Sequence, residues 1–108
     1  MVDKIIKLIK INNLQYNILR DPQAYRRVAG QPFRIQVGVG GEGRVHVTLA
    51  DERGALLAEG EVAAPGTFSH ELTFAQPGVR IVTVTAQHPG RNESRDLRLD
   101  VMAQTWVG

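Results

Sequence analysis

AQPGVRIVTVTAQHPGRNESRDLRLDV, residues 75–101, alternates like two strands joined by a tight loop. A Pro-Gly pair opens a β-branched run from Val79 to Ala86. A polar loop with a second Pro-Gly, His88 to Ser94, follows, and Leu97, Leu99 and Val101 then resume the alternation. β-Branched residues at period two, bounded by turn formers, mark strands, and two such runs in succession mark an antiparallel hairpin.

The same period extends backwards. Phe33, Ile35, Val37 and Val39 share one parity, with Arg34 and Gln36 on the other. Gly40-Gly41-Glu42-Gly43 reads as a turn at a flexible hairpin tip. Val45, Val47 and Leu49 then point inward, with Arg44, His46 and Thr48 outward. Asp51-Glu52-Arg53-Gly54 reads as a hairpin turn, Ala55 to Val62 as the returning strand, and Ala64-Pro65-Gly66 as the lead into Phe68, His70, Leu72 and Phe74. About seven strands at turn spacings of roughly ten residues predict an all-β fold, an antiparallel β-sandwich. Its predicted core is Phe33, Ile35, Val37, Val45, Val47, Leu49, Phe68, Leu72, Phe74, Val82, Val84, Leu97, Leu99 and Val101.

The N-terminal part is less regular. VDKIIKLIKINN is open to three readings: a basic amphipathic helix capped by Asp3, a strand, or a tail. Its isoleucines favour extended backbone, although Ile5, Ile9 and Ile11 share a parity with Lys7. Composition shifts after about residue 19, so residues 1–13 read as a basic segment peripheral to a sandwich domain over 14–108. Leu14, Tyr16 and Ile18 alternate as an edge strand. Residues 21–27 read as one helical turn, with Asp21 as N-cap and Pro22 in the first helical position.

A chain of 108 residues without cysteine makes one domain, with neither disulfides nor thiolate metal sites. No run is apolar enough for a transmembrane helix, and Lys4, Lys7 and Lys10 break the only early stretch that a signal peptide would need. Composition does not choose a compartment. A longer precursor would place the domain in the cell envelope or outside the cell, and a native start at Met1 would place it in the cytoplasm. The net charge of +2 is unevenly spread. Lys4, Lys7, Lys10, Arg20, Arg26, Arg27 and Arg34 face only Asp3 and Asp21 within residues 1–34. Folded onto one surface, these seven would attract an anionic partner, protein or glycan. Too few aromatics lie beside them for specific nucleic-acid binding.

The phrase PGVRIVTVTA, preceded by LTFAQ and followed by DLRLDV, resembles the last strands of bacterial Ig-like domains, the repeats of adhesins and surface proteins. The resemblance covers residues 33–103 and implies an Ig-like topology and an accessory role, and it carries over no site residues. Arg80 stands where such repeats often have a corner tyrosine, and the single tryptophan, Trp106, lies past the last strand.

Residues with chemistry are scattered. His46, His70 and His88 would form a metal site only if strands brought them together, and their parities differ. Asp51, Glu52, Glu59 and Glu61 flank one hairpin, where charge protects an edge strand. The glycines from Gly38 to Gly43 lack the Lys-Ser/Thr and the following helix of a phosphate loop. The expectation is therefore a module without catalysis, metal or cofactor, built for structure or for a protein partner or neighbouring domain, as an accessory part of a larger bacterial protein or assembly. The alternative is a carbohydrate-binding module that uses Tyr16, Tyr25 and Trp106 as stacking platforms.

Overall fold

A computed structural model of the chain describes residues 4–17, 19 and 25–103. The fold is all-β, a curled mixed sheet of seven strands. These are β1 (Ile6–Ile11), β2 (Leu14–Gln15), β3 (Arg27–Val28), β4 (Pro32–Ala50), β5 (Leu56–Thr73), β6 (Gly78–His88) and β7 (Arg91–Met102). The sheet runs β2-β1-β4-β6-β7-β3, and β5 pairs with the other edge of β4. All neighbours are antiparallel except β3 and β7.

The long hairpin β4–β5 organises everything else. Its two strands stay paired from Pro32↔Thr73 to Ala50↔Leu56, so two pairs of expected strands are in fact continuous. The Gly40–Gly43 segment is accordingly not a hairpin tip. It is a bend inside β4, where the register moves from Val39↔Gly66 to Gly43↔Ala64 and leaves extra residues on β4. Gly41 and Gly43 have φ of 96° and 83°, left-handed values that let a strand bulge and turn without ending. Beyond β5, the other edge of β4 is shared: Ile35 to Val39 pair with β1, and His46 to Ala50 pair with β6.

This division folds the hairpin back on itself. Arg80 of β6 reaches both of its ends at once. Its Nε donates to Glu52 at the β4–β5 tip at 2.8 Å, and its guanidinium lies 4.6 Å from the centre of the Phe74 ring, just past the end of β5. The two limbs of the curl therefore face each other across one core. Ile9 and Ile11 of β1, the alternate residues Phe33, Ile35, Val37, Val39, Val45, Val47 and Leu49 of β4, Val82 and Val84 of β6, and Leu97 and Leu99 of β7 are all buried there. No polar or charged residue is fully buried among the described residues. Of the predicted core, Phe68 alone is half-buried rather than buried, because no strand among the described residues lies on the outer side of β5.

The N-terminal segment supplies a strand, and its mixed parity has a local cause. Between Ile6↔Val39 and Leu8↔Gly38 the β1 register slips by one residue at Lys7. This bulge puts Ile6 on the core side together with Ile9 and Ile11, which straight alternation forbids. Asn12 and Asn13, with φ of 54° and 70°, close the two-residue loop to β2. The expected edge strand over Leu14–Ile18 shrinks to Leu14–Gln15, and Ile18 lies outside the described residues. Of the expected helical turn, residues 21–24 also lie outside them, Tyr25 has 3₁₀ backbone, and Arg27 belongs to β3.

Side chains close the seam of the curl where no ladder does. Glu93 of β7 accepts the Ile5 and Ile6 amides at 2.6 and 3.0 Å, and Arg98 N–H donates to the Tyr16 hydroxyl at 3.2 Å. Burial raises the Glu93 pKa, but these amides together with Arg91 and Arg95 outweigh it and hold the carboxyl below its usual range.

Glu52 is the stronger acid-sensitive tie. The Arg80 side-chain hydrogen bond, followed by its own amide and that of Ile81, holds its pKa at about 2. A lowered folded pKa gives stability that is present above the unfolded value and lost as pH falls towards the folded one. The wild-type chain should therefore lose stability between about pH 4.5 and 2. With about a third of the side chain exposed, solvent screening reduces that loss to roughly 1 kcal/mol. A Glu52→Gln chain should melt lower at neutral pH, and its melting temperature should fall less between pH 5 and pH 3. Equal slopes in the two chains would refute this role for Glu52.

Candidate functional site

The limb built from β1, β2 and the first half of β4 ends in a shallow groove of about 450 Å³. Asn12, Asn13, Arg27, Gln31, Pro32, Arg34 and Glu71 line it. Local sequence fixes each wall. Asn12 ties the β1–β2 loop to the next strand: its amide donates to Arg34 O at 2.8 Å and its Oδ1 accepts Arg34 N–H at 3.0 Å. Its Nδ2 donates to Tyr25 O at 3.4 Å. Gln31 closes the Val28–Gln31 turn, with its amide donating to Val28 O at 2.9 Å and its Oε1 accepting Val28 N–H at 3.3 Å. Glu71 stands across the ladder from Arg34. Among the described residues they form no ion pair.

Of the seven cations proposed as an anion-attracting surface, only Arg27 and Arg34 meet in this groove. Lys10 lines a separate shallow depression with Leu8, Gln36, Gly38 and Thr67. Lys4 and Lys7 are exposed, and Lys7 lies over Gly40. Arg26 is half-buried, and its carbonyl accepts Arg27 NH1 at 3.1 Å. Arg20 lies outside the described residues. The sequence reading missed Asn12, Asn13, Gln31 and Glu71. The Asn-Asn pair after an isoleucine-rich run was the available signal, since asparagine tolerates the left-handed region that a two-residue hairpin loop needs.

The other candidates are spoken for by structure. His46 Nε2 lies 3.2 Å from Glu59, His88 Nε2 lies 2.7 Å from Glu42 O, and His70 stacks on Phe68 at 6.4 Å. The three histidines do not converge, and no group of metal-ligating side chains occurs among the described residues. Asp51 Oδ1 accepts the amides of Arg53 and Ala55, both at 2.9 Å, which shapes the hairpin tip. Glu61 pairs with Arg44 at 3.1 Å. Tyr25 is not a free stacking platform. It is only 1% exposed, its hydroxyl donates to Gln15 O at 2.8 Å and accepts Asn17 N–H at 2.9 Å, and its ring packs on Tyr16 at 5.3 Å. Trp106 lies outside the described residues.

No protein-family model matches the chain, and no curated protein sequence matches it.

Proposed function

We propose that the chain is a non-catalytic interaction module, an Ig-like accessory domain of a larger bacterial protein or assembly, that engages a protein partner by strand addition along β5. One observation carries this reading: β5 runs for 18 residues and, among the described residues, pairs only with β4. Its outer edge offers a row of main-chain donors and acceptors that an extended segment can pair with, as edge strands do in peptide recognition. The inward row beside that edge, Leu57, Val62, Ala64 and Phe68, packs only partly against the core. An added strand with alternating apolar residues would complete its burial. The carboxylates and histidines that could suggest catalysis instead support the curl. Glu52 ties the hairpin tip to Arg80, Glu59 meets His46, and Glu61 meets Arg44.

Site-specific photocrosslinking in the native host tests this reading. A photoreactive residue at Ser69, exposed on β5, should capture a partner, and one at Asp96, exposed on β7, should not. Lysine at Thr67, also exposed, should block that capture and leave the melting temperature unchanged, since edge lysines oppose strand addition. Capture at Asp96 but not Ser69 would overturn the proposal.

A further inference from the structure

We infer that the groove at the end of β1 and β4 is a binding site for carboxylates of an acidic polypeptide segment, with Arg27 and Arg34 as its charged donors. The inference goes beyond strand addition at β5 and does not need it.

The groove has more donors than acceptors. Arg44, Arg80, Arg91 and Arg98 each pair with a carboxylate, at 3.1, 2.8, 3.3 and 3.0 Å. Arg27 and Arg34 pair with none among the described residues. Among the described residues the Arg27 guanidinium makes one hydrogen bond, to the Arg26 carbonyl, and Arg34 is exposed. Their remaining guanidinium N–H groups meet no protein acceptor among the described residues and are open to a bound anion. The Gln31 oxygen is taken by the Val28 amide, so the side of its amide left free is the NH2 group. Asn13 adds a second side-chain amide from a loop held by the Asn12 hydrogen bonds. These donors stand on strand ends and tight turns rather than on long loops, so little backbone freedom is lost on binding.

Guanidinium groups fit planar two-oxygen anions through paired N–H bonds. Charge then selects among such anions. Two guanidinium groups against the Glu71 carboxylate leave the lining with one net positive charge. That balance suits a carboxylate, which carries a single charge, better than a dianionic phosphate. The groove is also open, so the carboxylate side chains of an acidic segment can enter it without a closed cavity.

Titration of the intact chain with a hexaglutamate peptide at low salt tests the assignment, with citrate and inorganic phosphate as separate arms. The peptide should bind, and Arg34→Glu should weaken binding roughly tenfold, as loss of a bidentate charge-assisted pair does. The same reversal at Arg53, exposed at the hairpin tip and not part of the groove's lining, should change it little. Glu71→Gln should tighten binding by removing the one competing carboxylate. Melting temperatures of the variants should match the wild type, because these side chains carry no core packing. Equal losses in Arg34→Glu and Arg53→Glu would reduce the effect to overall charge and overturn the site. Citrate binding as tightly as the peptide would overturn the polypeptide assignment, and tighter phosphate binding would overturn the carboxylate assignment. The β5 crosslinking result is read from different residues, so either proposal can fail without the other.

Discussion

Val47→Asp should leave no measurable folded population. Val47 is 0% exposed at the middle of β4, with Gly60 of β5 and Ala86 of β6 as its ladder neighbours. Neither neighbour can hydrogen-bond or neutralise a carboxylate through its side chain. A buried, unpaired charge costs several kcal/mol even after its pKa rises, comparable with the roughly 5–15 kcal/mol that holds a small domain together. Val84 is equally buried but would be a poorer probe, because Arg95 sits across the ladder from it and could partner an introduced acid. Circular dichroism and one-dimensional proton NMR decide the matter. A dispersed spectrum with a cooperative melt for Val47→Asp would refute the placement of β4 at the centre of the core.

Gly66→Ala should cost the chain about 2 kcal/mol or more, a large effect for one methyl group. A Cβ at Gly66 would lie 2.6 Å from the Ala63 carbonyl oxygen and 2.7 Å from a Val62 methyl. The first of these is backbone, and moving it distorts β5 where it follows the bend of β4. Gly40→Ala offers the contrast. Its Cβ would come as close as 2.4 Å, but to the Lys7 side chain, whose exposed, flexible end can swing into solvent. Thermal melts of the two variants should therefore differ by several degrees, with Gly66→Ala the lower. Equal melting temperatures would show that the bend of β5 is soft.

The strand rows of β4, β6 and β7 were legible because each has one buried face, and a slip of one residue would expose the whole row. The turns at Asp51–Gly54 and Pro89-Gly90 were legible for their turn chemistry, although the loop expected over His88–Ser94 narrows to Pro89-Gly90 because Arg91 to Ser94 pair with β6. Three features were hidden. A glycine run signals a hairpin turn and an in-strand bend with the same letters, so the continuity of β4 and β5 could not be read locally. The bulge at Lys7 shifts β1 out of phase with itself, which disguised Ile6, Ile9 and Ile11 as an imperfect pattern. Tyr25 lies beside two arginines, and its burial depends on contacts with Gln15 and Asn17 across the β1–β2 hairpin. The groove was legible only in its cations. Which of seven positive residues would meet depended on how β3 and β4 end, and that is a tertiary fact.

Because β4 and β5 run through both limbs of the curl, the limbs cannot melt one at a time. Amide hydrogen exchange should therefore show one shared opening energy across Ile35, Val37, Val45 and Val47, not two separable units. The same continuity makes the bend a mechanical hinge with no slack. Flexing it strains β4 and β5 together, so the two limbs move as one body.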